Sequence, residues 1–185
     1  MPECHAQSLL AQGNHALRAR QYAMAIQHYL RLITTAPALG KKLAVANNLV
    51  FARRRYRRER TAATPHVAVC GSALIQGIFR RIDTLSQIYH PVAQVEIVML
   101  SSSEWDNRAM SANHRDVPMH ALAFEDEHRF TEQAMEFVLG HPYDLVHLAG
   151  PRMPEFIVGL LYKLVWESSI LVHLDDEDSA YANTN

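Results

Sequence analysis

Apolar residues recur along this chain in two rhythms. Up to residue 60 the spacing is helical. Leu9, Leu10, Gly13, Ala16 and Leu17 share one face, and a second series follows at Ala25, Ile26, Tyr29, Leu32 and Ile33, closed by Ala36 and Pro37. Leu43, Val45, Ala46, Leu49, Val50 and Ala52 predict a third helix over 40–60. Beyond residue 65, short apolar runs alternate with helical stretches. Strands are expected at 66–70, 95–100, 118–124, 145–148 and 170–174, with helices between them. Gly71-Ser72 reads as a turn into a helix built on Leu74, Ile75, Ile78, Phe79 and Ile82. Glu125, Asp126 and Glu127 precede a helix over 130–139, where acids suit the N-terminal end of the helix dipole. The last two strands are about 20 residues apart, room for one crossover helix, so they should run parallel. The expected fold class is α/β: a Rossmann-like, doubly wound parallel sheet of about five strands, preceded by a small three-helix segment.

Small residues at Gly13, Ala16 and Ala25 predict a close approach of the first two helices, with Tyr22 and Tyr29 filling the space. Together with Ile26 and Pro37 these positions resemble one tetratricopeptide repeat. A single repeat cannot bury its own face, so it should pack on the next helix or on the main domain. Thr61 to Pro65 reads as a linker. The expected organisation is a helical, tetratricopeptide-like segment at 1–60, a linker at 61–65 and a Rossmann-like domain at 66–185.

Ligands of parallel sheets gather outside the carboxyl ends of the strands. At that edge the sequence places Gly71 and Ser72, then Gly150-Pro151-Arg152, then Asp175, Asp176, Glu177 and Asp178. Gly71 and Ser72, at a helix start, can present backbone N–H groups to an anion. A full dinucleotide fingerprint is absent, so Gly71 provides either close approach to a ligand or a tight turn. Arg152 can hold an anionic group by paired hydrogen bonds. Asp175 to Asp178 also read as an acidic cap and first turn of a following helix, a reading that weighs more on the neighbours of Asp175 than on Asp175 itself. His147 and His173 lie within apolar strands and read as core histidines; no histidine spacing supports zinc.

The net charge is −1, with a pI near 6.8, so the average charge implies no nucleic-acid or membrane partner. Six arginines between Arg53 and Arg60 are the exception. They suit a helix C-terminus and also predict a weak peripheral contact with an anionic membrane. Cys4 and Cys70 are far apart and lack metal spacing, which predicts reduced thiols in a cytosolic protein. Neither a signal peptide nor a membrane span is expected, so the predicted location is cytoplasmic, extending to the inner face of the membrane.

The stretch from Asp144 to Asp178 resembles the N-terminal domain of bacterial family-4-type (group 1) retaining glycosyltransferases of GT-B architecture. The resemblance is carried by Asp144-Leu145-Val146-His147, by Pro151-Arg152-Met153-Pro154 ahead of an apolar helix, by Asp175-Asp176-Glu177, and by the Arg-rich third helix. It implies transfer of a sugar from a nucleotide-sugar to an acceptor hydroxyl, with the donor as co-substrate and no further cofactor or metal. It implies Asp175 as the catalytic, cleft-facing polar residue, with Gly71, Ser72, Arg152, Asp176 and Glu177 binding substrate. GT-B enzymes need a second Rossmann-like domain to hold the donor. The resemblance therefore implies an acceptor-side half, inactive alone, whose other half lies on a longer form of the chain or on a partner chain. Two alternatives compete: a metal-dependent GT-A-type transferase using Asp176 and Asp178, and a non-catalytic protein-binding module.

Overall fold

The computed structural model describes residues 2–60, 63–72, 78–101, 117–123 and 127–174. They belong to two compact units, Met1–Ala63 and Thr64–Asn185.

The first unit is helical: α1 (Pro2–Arg18), α2 (Tyr22–Thr35), the single turn α3 (Pro37–Gly40) and α4 (Leu43–Arg60). The third long helix thus starts later than residue 40, because Pro37 opens a separate short turn. Arg20 takes a left-handed φ of 60° and closes α1. There the Gln21 N–H donates to the Ala16 carbonyl and the Arg20 N–H to the Leu17 carbonyl, a Schellman ending. α2 lies between α1 and α4 and buries Tyr22, Ala25, Ile26, Tyr29 and Leu32. The close approach expected at Gly13 is real: a Cβ there would lie 2.8 Å from Tyr29 Cε1. The Tyr29 hydroxyl donates to Asn14 Oδ1 at 2.8 Å, and Asn48 Nδ2 lies 3.2 Å from both of those atoms. One polar group from each long helix is thereby satisfied inside the unit. The likeness to a tetratricopeptide repeat rests on the sequence.

The second unit is α/β: β1 (His66–Ser72), α5 (Ile78–Tyr89), β2 (Gln94–Ser101), β3 (Met119–Ala123), α6 (Glu127–Gly140), β4 (Leu145–Leu148), α7 (Met153–Val165) and β5 (Ser169–Val172). The five strands are all parallel, in the order β3-β2-β1-β4-β5. This is the order of a doubly wound, Rossmann-like sheet, with its topological switch point between β1 and β4. β1 and β2 are apolar and buried on both faces, as strands covered by helices should be. On one face Val69, Ile97 and Met99 pack with Ile82 and Leu85 of α5. On the other, α7 lies so close that a Cβ on Gly159 would meet Leu148 Cδ1 at 3.0 Å. The indole N–H of Trp166 donates to the Val138 carbonyl at 2.6 Å and ties the end of α7 to α6.

Two features depart from the pattern expected for a covered sheet. Gly71 and Ser72, expected as a turn, continue β1, paired with Met99 and Leu100. The solvent face of α7 is itself apolar: Met153, Phe156, Leu160 and Leu164 are 44–72% exposed. Among the described residues no helix is long and apolar enough to cross a membrane.

Candidate functional site

The edge at the carboxyl ends of β1 and β4 is built by three short connections. Beyond β4, the Ala149 N–H donates to the Cys70 carbonyl at 2.7 Å and prolongs the ladder. The Ala149 carbonyl accepts from Arg81 Nη1 of α5, also at 2.7 Å. Gly150 and Pro151 then turn the chain, and Arg152 caps α7 with an extended backbone (φ −101°, ψ 158°) and no side-chain capping bond. Pro154 falls in the first turn, where its missing N–H is harmless.

At the switch point sits a side chain that sequence reasoning passed over. Glu155, in the first turn of α7, is fully buried, and its Oε1 accepts the backbone N–H of Ser72 at 2.9 Å. The N–H that the sequence reading offered to a ligand anion thus already donates to a carboxylate of the chain itself. An acid in the first turn of a helix is ordinary in a sequence, and only tertiary burial makes this one special. The nearby Cys70 thiol is pushed well up, first by complete burial and then by Glu155. A thiol held protonated is a poor nucleophile, so Cys70 serves packing.

Gly71 and Ser72 lie in β1, and Ser72 is fully buried. A Cβ on Gly71 would come within 2.7 Å of Ile82 Cδ1 and 3.3 Å of Ala149 Cβ, so this glycine is what lets α5 approach β1. Arg152 stands on the same edge, half-buried, and its Nε is buried with no hydrogen-bond partner among the described residues. The sheet therefore brings Ser72 and Arg152 to one rim. β5 ends at that rim too: the His173 N–H donates to the Leu148 carbonyl at 2.8 Å. Asp175, Asp176, Glu177 and Asp178, the catalytic and carboxylate candidates of both transferase readings, follow directly and lie outside the described residues. Among the described residues no group of three or more His, Cys, Asp or Glu is placed to hold a metal ion.

His147 is half-buried and faces α5, where the Tyr89 hydroxyl lies 2.9 Å from its Nδ1. Burial first, and then the neighbouring His173, hold its pKa below the ordinary histidine value.

A second polar constellation occupies the opposite, amino-terminal edge of the sheet. Glu96 of β2 holds His66 Nε2 at 2.8 Å through Oε1, and His120 Nε2 at 2.7 Å through Oε2. The Tyr143 hydroxyl donates to the same Oε2 at 2.5 Å. Asp144 accepts the His66 N–H at 2.8 Å. Desolvation raises the Glu96 pKa, but the hydrogen bonds from Tyr143, His120 and His66 outweigh it, and the carboxyl sits below its ordinary value. Because it joins β1, β2, β3 and the approach to β4, this cluster works as a clasp on the sheet. Parallel sheets take ligands at the other edge.

No family model matches the chain, and no curated protein or solved structure is significantly similar to it.

Proposed function

We propose that this chain is the acceptor-side half of a GT-B glycosyltransferase, acting with a donor-binding Rossmann-like domain carried on a longer form of the chain or on a partner. The observation that carries the reading is the five-stranded parallel sheet with its switch point between β1 and β4, which sets Arg152 on the rim where such folds bind ligands. In the proposed reaction the acceptor hydroxyl oxygen forms the new bond to the anomeric carbon. The bond from that carbon to the nucleoside diphosphate breaks, and the diphosphate leaves with the electron pair. The acceptor proton passes to a base or to the departing diphosphate. Arg152 holds an anionic group of the acceptor, and Asp175 orients the acceptor hydroxyl or stabilises the cationic sugar. Asp176 and Glu177 are assigned to substrate binding in this reading.

Amide chemical shifts of the chain titrated with a sugar phosphate test the acceptor site. Shifts are expected at Ser72, Gly150 and Arg152, and Arg152→Gln should abolish them. Shifts confined to the Glu96 clasp, or none at all, refute it. Separately, the chain incubated with nucleotide-sugars should release no nucleoside diphosphate; release would overturn the half-enzyme reading.

A second reading, a non-catalytic binding module, is favoured by the apolar stripe Met153, Phe156, Leu160 and Leu164, since exposed apolar patches commonly mark interaction surfaces. It predicts a stable complex with a separate chain and no sugar-phosphate shifts at the rim.

A further inference from the structure

The net charge of −1 conceals a division. Residues 1–63 carry eleven Lys and Arg against two acids, and residues 64–185 carry seven against seventeen. The helical unit is therefore strongly basic and the α/β unit strongly acidic. Within the basic unit the charge is concentrated on α4. Its inward face buries Val45, Leu49 and Ala52 against the other helices. At the helical period, the opposite face carries Leu43, Asn47, Val50 and Phe51 in its first part, and Arg54, Arg57 and Arg58 in its last turns. All seven are exposed; Leu43 is 75% accessible, Val50 48% and Phe51 46%. Arg55 lies beside this face with its guanidinium 5.2 Å from the centre of the Phe51 ring. The one acid of the helix, Glu59, stands off this line.

We propose that this face of α4 docks in the plane of an anionic lipid bilayer, with Leu43, Val50 and Phe51 entering the headgroup boundary and the arginines pairing with lipid phosphates. Both halves of the pattern are needed to reach that conclusion. A phosphate-rich nucleic acid would be served by the arginines alone and would leave three large apolar side chains without a role. A bilayer interface takes both at once, because apolar side chains enter it while cationic ones stay at headgroup level. Arginine also pairs its planar fork with phosphate better than lysine does. The strongly acidic second unit is repelled by the same surface, which fixes the docking on the helical unit. This inference stands apart from the sugar-transfer reading and survives its failure.

The test is sedimentation of the full chain with vesicles of phosphatidylcholine mixed with phosphatidylglycerol, against phosphatidylcholine alone. Binding is expected on the anionic vesicles only, weakening as salt is raised. The variant R54Q/R55Q/R58Q replaces exposed side chains and should keep its far-UV circular dichroism. Its partition coefficient should fall roughly fivefold per arginine, about a hundredfold in all. Insertion is read separately with an environment-sensitive fluorophore on Asn47→Cys in a Cys4→Ser background. Its emission should shift to the blue on anionic vesicles, and V50S/F51S should remove that shift. Equal sedimentation with both vesicle types, undiminished binding by the arginine variant, or no emission shift overturns the proposal. Retention of a single-stranded oligonucleotide without retention of vesicles overturns it as well.

Discussion

Replacing Gly71 by alanine separates two uses of this glycine, because the structure says which atom the new methyl group meets. The added Cβ would lie 2.7 Å from Ile82 Cδ1, 3.2 Å from Ile82 Cγ1 and 3.3 Å from Ala149 Cβ. Ile82 is 1% exposed and belongs to one buried cluster with Leu85, Val95 and Ile97, so its terminal methyl has to shift within a packed core. Overpacking of this kind costs about 1–3 kcal/mol. Removing a glycine from a strand interior returns about 0.5–1 kcal/mol. The net expectation is a loss centred on about 1 kcal/mol, within a span of about 0–2.5 kcal/mol. Ile82→Val deletes the clashing Cδ1 and costs about 0.5–1.5 kcal/mol alone. In the double variant the methyl group meets no Cδ1, so its stability should approach that of Ile82→Val, a coupling of about 1 kcal/mol. Urea unfolding followed by tryptophan fluorescence, to which the buried Trp166 contributes, reads this as a midpoint shift of about 1 M for Gly71→Ala. If Gly71→Ala leaves the midpoint unchanged, or if the two substitutions add, α5 does not need this glycine and ligand approach becomes its use.

Two further predictions concern titrating groups. The Glu96 carboxyl sits below its ordinary value of 4.5 in the folded chain. Its stabilising contribution is therefore fully present above that value and is lost as pH falls through the depressed one. Glu96→Gln should flatten the acid limb of a melting-temperature profile measured against pH, and an unaltered acid limb would show that the clasp is not linked to folding. Cys70 is fully buried, with its thiol pushed well up, whereas Cys4 is exposed. Ellman's reagent should modify Cys4 at neutral pH and reach Cys70 only in denaturant; two fast-reacting thiols in the native chain would contradict the described packing of β1.

The alternation of strand and helix was legible because covered parallel strands are nearly continuous apolar runs, as β1 and β2 are, whereas the edge strands β3 and β5 are shorter and only partly covered. The contact of Gly13 with Tyr29 was legible for a similar local reason: small residues recur where two helices joined by a short turn must meet. Gly71 and Ser72 were misread because their composition is that of a turn. What holds them extended is pairing with Met99 and Leu100, whose identity no local window contains. Glu96 left only a faint trace, an acid inside the apolar run Val95 to Leu100. Its partners His66, His120 and Tyr143 are scattered along the chain and gather only when the sheet forms.

Glu155 changes what the rim can recognise. A helix N-terminus beside a strand end ordinarily attracts an anion, since its N–H groups and dipole favour negative charge. Here Glu155 accepts the Ser72 N–H from within the first turn of α7, so that position is filled by the chain's own acid. A second anion arriving there would have to displace the Glu155 carboxyl from the Ser72 N–H it already accepts. On the proposed acceptor role, an anionic group would be held by Arg152, whose guanidinium Nε is buried and without a hydrogen-bond partner among the described residues. A neutral group, such as a sugar hydroxyl, suits the Ser72 side of the crevice better. On the proposed acceptor role this divides the rim by charge: the anionic part of the acceptor lies toward Arg152, and its uncharged ring lies toward β1.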